Sequence, residues 1–147
     1  MKRFASYILY TLLLSAIVSA SFSCHNDDLD IRQDYLFDLV TMPVQKKIVK
    51  GNTAEIRCQL KKEGDYSQTT FYIRYFQPDG EGELKLDDGR ILLPNDLYIL
   101  TKDVFRLYYT SQCTDQQTID VYIEDSFGQV IKSTFSFQNE SGEENEP

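Results

Sequence analysis

The chain has 147 residues, with 23 acids against 15 Lys and Arg and a formal net charge of −8. That length suits one domain with a single core, and the acidity argues against nucleic-acid binding, which needs clustered Lys and Arg to meet phosphate. A single histidine excludes a zinc site built on two of them.

The chain opens on Lys2 and Arg3 and continues into the apolar block "YILYTLLLSAIVSA", followed by Ser21, Phe22, Ser23 and Cys24. A basic start, a dozen or so apolar residues and a small residue before a cut form a secretory signal pattern, and "SFSC" resembles the lipobox of bacterial lipoproteins. An uncleaved anchor is the alternative, since residues 4–22 approach the ~20 that span a bilayer, but Ser6, Thr11, Ser15, Ser19 and Ser21 thin the apolarity. The expectation is therefore a leader over 1–23 and lipidation of Cys24. Removing 23 of the 147 residues leaves 124, and the loss of Lys2 and Arg3 takes the charge from −8 to −10.

Several acyl chains on one cysteine, at ~0.8 kcal/mol per buried methylene, hold a protein firmly to a membrane. His25, Asn26, Asp27, Asp28 and Asp30 then read as part of a polar tether over 24–36 that cannot build a core. These acids resemble the signal that sends some lipoproteins to the outer face of the outer membrane; a plain spacer is the alternative. The expected location is the cell envelope, lipid-held at the outer membrane, on either its periplasmic or its surface face.

From Phe37 the pattern has period two, broken by turn residues about every ten positions. "FDLVTM" stops at Pro43, "VQKKIV" at Lys50-Gly51-Asn52, "TAEIRCQLKK" at Glu63-Gly64-Asp65 and "TTFYIRYF" at Pro78-Asp79-Gly80. "GELKL" ends at Asp87-Asp88-Gly89, "RILL" runs into Pro94-Asn95-Asp96, and "LYIL", "DVFRLYY", "QTIDVYIE" and "QVIKSTFSF" follow. No helical stripe follows the leader, so the domain over 37–138 is read as all-β, an immunoglobulin-like sandwich of seven to nine strands, with a barrel as the alternative. Alternation assigns a core of Ala54, Ile56, Cys58, Leu60, Phe71, Ile73, Tyr75, Phe105, Leu107, Tyr109, Ile119, Val121, Ile123, Ile131, Phe135 and Phe137. The tail "NESGEENEP", 139–147, has no apolar residue and reads as disordered.

Nothing in the sequence forms a catalytic constellation or calls for a cofactor. His25 lies in the tether, where no rigid shell orients it. Cys58 and Cys113 do not form a CxxC pair. Cys58 is in phase with the core, whereas Cys113 lies in the polar turn "TSQCTDQQ" and must fold inward to pair with it, so a disulfide between them is left open. Asp79, Asp87, Asp88, Asp96 and Asp125 read as turn acids and lack the spacing of an EF-hand calcium loop. The expectation is a protein that is not an enzyme and binds no metal.

One surface feature exceeds what a filler domain needs. On the outward phase of two strands lie Tyr72, Arg74 and Phe76, then Asp120, Tyr122 and Glu124. In an immunoglobulin-like sandwich these are the C and F strands, neighbours in one sheet. With Lys132 and Thr134 of the last strand they form an exposed face rich in aromatics and Arg, the composition of protein interfaces. The plainer reading is that Tyr and Phe simply suit a half-solvated sheet.

The strings "TMPVQKKIVKGNTAEIRCQLKKEG", "YIRYFQPDGEGELKLDDG", "LPNDLY", "FRLYYTS" and "TDQQTIDVYIEDSFGQV" resemble the TraQ family of conjugative-transposon proteins of the Bacteroidetes, from about Leu29 to Asn139. The resemblance implies an immunoglobulin-like sandwich encoded beside components of a mating apparatus, and it carries no enzymatic activity and no binding residue. Together with the anchor it implies a non-enzymatic envelope accessory of conjugative transfer whose partners are other proteins of that machinery. The alternative is a surface-exposed module for a recipient-cell or glycan ligand.

Overall fold

The computed structural model describes residues 34–65 and 68–140. The leader, the lipobox cysteine Cys24, the tether up to residue 33 and the tail beyond 140 lie outside the described residues. Ten strands follow one another: β1 (Phe37–Thr41), β2 (Lys47–Ile48), β3 (Thr53–Lys62), β4 (Phe71–Asp79), β5 (Gly82–Leu86), β6 (Ile91–Leu92), β7 (Tyr98–Leu100), β8 (Val104–Ser111), β9 (Gln117–Asp125) and β10 (Val130–Asn139). Seven of them have five residues or more; β2, β6 and β7 have two or three.

Two five-stranded sheets form, ordered β1-β3-β8-β5-β6 and β2-β10-β9-β4-β7. Reading β1, β3, β8 and β5 as A, B, E and D, and β10, β9 and β4 as G, F and C, reproduces the immunoglobulin arrangement. The N-terminal strand switches sheets on the way: β1 pairs antiparallel with β3, and β2 then pairs parallel with the end of β10. The hairpin between β9 and β10 turns because Asp125 Oδ1 accepts the N–H groups of Phe127 (2.9 Å) and Gln129 (2.8 Å), and Gly128 takes the φ of 88° that other residues avoid.

The alternation expected from the sequence points inward as read. Ala54, Ile56, Ile73, Leu107, Ile119, Val121, Ile123 and Phe137 are fully buried, and every other residue of the expected core except Ile131 is at least nine-tenths buried. Ile131 is half-buried beside the hairpin and packs against the core from its rim. Phe37 against Phe71 (5.1 Å, edge-on) and Tyr109 against Phe137 (5.2 Å, stacked) join the two sheets. Phe37, Leu39, Ile48, Leu84, Leu86, Leu92 and Leu100 complete the core. Burial of such side chains, at ~25 cal/mol per Å², is the main force holding the layers together.

The core also contains a polar network, buried except at the half-buried Gln77 on its rim. The Tyr109 hydroxyl accepts from Gln77 Nε2 (2.7 Å) and donates to Gln117 Oε1 (2.8 Å), while Gln117 Nε2 donates to Ser111 Oγ (2.8 Å). Gln117 and Tyr109 have no exposed surface, so these bonds satisfy groups that would otherwise be costly to bury. Gly82 leaves room for the Tyr109 phenol, since a Cβ there would collide with its ring end. Both described cysteines are free thiols; burial pushes the Cys58 thiol up to about 12.

Candidate partner-binding face

The outward phase of β4, β9 and β10 forms a grid whose rows are fixed by strand register. Tyr72 lies opposite Glu124 and Glu124 opposite Val130; Arg74, Tyr122 and Lys132 form the next row; Phe76, Asp120 and Thr134 form the third. All eight residues singled out from the sequence for this surface, Tyr72, Arg74, Phe76, Asp120, Tyr122, Glu124, Lys132 and Thr134, therefore lie together. Cross-strand neighbours at this spacing are in contact range.

Within the grid the contacts centre on Tyr122. Its ring meets Phe76 edge-on at 5.5 Å, the Arg74 guanidinium lies over it at 5.8 Å, and the Lys132 ammonium lies over it at 5.7 Å. Arg74 also covers Phe76 at 5.9 Å. These are cation–π distances. Arg74 is poorly matched by acid: its terminal nitrogen is 3.7 Å from Glu124, and its Nε is enclosed with no hydrogen-bond partner among the described residues.

Asp120, expected on the exposed face, is instead buried and held more tightly. Thr134 donates its hydroxyl to Asp120 at 2.6 Å and Lys132 forms an ion pair with it at 2.9 Å. The Thr134 bond first, then the Lys132 bond, hold the Asp120 carboxyl below the usual carboxylate range, and Lys132 is raised in return, chiefly by its hydrogen bond to Asp120. At the edge of the sheet Ile99 of β7 lies in register beside Tyr72, and Ile99 and Val130 are both about half exposed, so the first row is capped by apolar groups at each end. Sequence reading missed these two because β7 is too short to show a period and Val130 sits at the mouth of a turn.

Among the described residues no group of three or more His, Cys, Asp or Glu gathers as a metal site. A shallow cleft of about 340 Å³ opens between Tyr35, Lys62, Phe71 and Asp103, where Lys62 is neutralised by Asp103 at 2.8 Å.

Residues 7–140 match the model of the family described as the TraQ conjugal transfer protein. The chain belongs to the TraQ conjugal transfer family. Solved structures agree with the family assignment. A conjugative transposon lipoprotein from Bacteroides eggerthii is 50% identical, over 72% of this chain and all of its own, with a TM-score of 0.68. A lipoprotein from Bacteroides thetaiotaomicron is 61% identical over 82% of this chain and 93% of its own, with a TM-score of 0.67. A conjugate transposon protein from Bacteroides vulgatus is 43% identical over 82% and 98%, with a TM-score of 0.65. No curated relative matches. TraQ membership places the sandwich in conjugal transfer.

Proposed function

We propose that this TraQ-family chain is a non-enzymatic lipoprotein of the envelope, held at the outer membrane through Cys24 and working as an accessory of the conjugative apparatus through protein contacts made by the β4-β9-β10 face. The proposed organisation is a leader over 1–23, a tether over 24–36, the sandwich over 37–138 and an acidic tail over 139–147. The observation that carries the partner surface is Arg74, laid against Phe76 and Tyr122 on an open sheet face with its nearest carboxylate at 3.7 Å and its Nε unpaired. Arg and Tyr dominate the energetics of protein interfaces. A guanidinium held by ring faces and not by a tight ion pair can exchange its weak internal contact for one across an interface. Two Bacteroides neighbours described as lipoproteins support the anchor. The non-enzymatic reading rests on the sequence, whose one histidine lies beside the expected lipidation site.

Crosslinking the tagged full chain in donor cells that carry the element, followed by identification of what is recovered, tests this reading. Transfer-apparatus subunits are expected, and Arg74→Glu or the pair Tyr72→Ala and Tyr122→Ala should abolish their recovery. Recovery that survives these changes would remove the face from the mechanism. Cys24→Ala should release the protein from membranes and lower transfer frequency; full transfer by a released protein would leave the anchor without a role.

A further inference from the structure

The two sides of the sandwich end differently. On one side the outermost strands are β6 and β7, of two and three residues, bridged by the 93–97 connection and by an Arg90 bond to the Ile99 carbonyl (3.2 Å). On the other side β10 is ten residues long, and β2 covers it only at Gln138 and Asn139. The N–H of Asp125 donates to the Gln129 carbonyl, which makes the odd-numbered residues of β10 those that bond to β9. The even-numbered ones face away, as Gln138 and Glu140 confirm by donating to Lys46 and Ile48 on the β2 side. Val130, Lys132, Thr134 and Ser136 therefore aim their N–H and C=O groups at an open lane that no described strand fills. At ~3.3 Å per residue the lane over 130–136 is about 23 Å long.

We infer that this lane receives an extended acidic segment of a partner protein, which adds as a strand beside β10 and continues the line of β2. The charge around the lane selects the occupant. Lys132 stands at its centre, paired on its own sheet with Asp120 at 2.9 Å but with about half of its side chain exposed, and Lys46 and Lys47 at its β2 end are exposed and form no ion pair among the described residues. This basic rim lies on a chain whose net charge is −8. An added strand places one residue beside Lys132, in the row of Arg74 and Tyr122, and one beside the exposed Val130 two positions away. An acidic and an apolar side chain at that spacing fit those two neighbours. Backbone bonds supply affinity and the alternate side chains supply choice, the logic of strand addition. A second copy fits less well, because it would bring two acidic chains edge to edge. The inference rests on the reading that the domain works through protein contacts, and it adds the mode of contact and the chemistry of the partner.

The test uses the full-length chain in detergent micelles and a capped seven-residue peptide alternating glutamate and valine, with a lysine-valine peptide as its counterpart. Amide exchange should slow about tenfold at Val130, Lys132, Thr134 and Ser136 with the acidic peptide and stay unchanged at Ile131, Ser133 and Phe135. Thr134→Pro removes one outward N–H at a position where an edge proline is tolerated; it should abolish the effect and lower transfer frequency. Thr134→Val, which loses the same hydroxyl and keeps the N–H, should retain the protection by the acidic peptide. Should the proline variant misfold, Lys132→Glu gives the second reading, reversing the preference between peptides. No slowing, equal slowing by both peptides, or slowing that grows with protein concentration in the absence of peptide would overturn the inference, the last by assigning the lane to a second copy. Tyr122→Ala separates the two readings: it should weaken recovery of the apparatus while leaving peptide protection along β10 intact.

Discussion

The buried end of β8 and the open face of β9 each set a tyrosine among polar groups, but under opposite conditions. Tyr109 has no exposed surface, stacks on Phe137, and meets two neutral amides at 2.7 and 2.8 Å. Tyr122 is half-buried and meets two cations and a ring edge, with the strongest nearby ion pair linking Lys132 to Asp120. A buried network is costly to disturb because any group left behind cannot turn to water. A half-exposed cluster of charges contributes less to folding, because water and salt compete for the members that reach the surface, Lys132 above all, while Asp120 is buried. The first arrangement therefore serves the fold, and the second is the one proposed above to be exchanged for contacts with a partner.

The sharpest way to break this contrast is to truncate both tyrosines. Tyr109→Ala should cost roughly 3–5 kcal/mol in urea unfolding, the scale of emptying a buried aromatic site. Tyr122→Ala should cost about 1 kcal/mol and show its main effect on transfer frequency. Equal losses in stability would erase the distinction. A smaller effect comes from Tyr109→Phe, which keeps the ring and strands the buried amide oxygen of Gln117; a loss of about 1–3 kcal/mol is expected, and an unchanged urea midpoint would show that the bond to Gln117 does not support the fold.

Acid sharpens the open side. The Asp120 carboxyl is depressed in the folded state, first by the Thr134 hydroxyl and then by Lys132, so its contribution is present above the ordinary aspartate range near ~4 and is lost as pH falls through its lower folded value. Asp120→Asn should flatten the decline in stability between neutral pH and about pH 3; parallel declines in the two proteins would assign the acid sensitivity elsewhere. The smallest effect is chemical. Cys58, buried and with its thiol pushed up to about 12, should resist iodoacetamide until urea is added, whereas the partly exposed Cys113 reacts in the native protein. Peptide mapping after labelling distinguishes them, and early modification of Cys58 would mean that β3 opens readily.

Much of this architecture was legible in the sequence because long strands repeat their period. Ten residues of β3 and nine of β9 fix the phase of Ile56 and Val121 beyond ambiguity, and the same phase put Arg74 and Tyr122 outside. The expected adjacency of the C and F strands appears as the pairing of β4 with β9. Short elements gave no such purchase: Ile48 and Leu92 are core residues in strands of two residues, where no alternation exists to be counted. The polar network was invisible for another reason, since Gln117 and Ser111 read as strand-end polar residues until Gly82 makes room for the Tyr109 ring, whose hydroxyl meets Gln117. The open lane beside β10 depends on what β2 fails to cover, which is a property of the sheet and not of any one segment.

The sheet switch of the N-terminal strand also determines how the domain meets a pull. The described chain enters beside Gln129, whose amide reaches the Tyr35 carbonyl at 3.3 Å, and leaves at the far end of β10. Tension between those points runs along the strands. The five β1 residues paired with β3 are then loaded in shear, since antiparallel ladder bonds lie across the strand axis, and the two β2 residues, held to β10 by the slanted bonds of a parallel pair, must slide with them. Loaded in shear at both sheets, the domain resists stretching as a clasp and does not peel open from one end like a zipper.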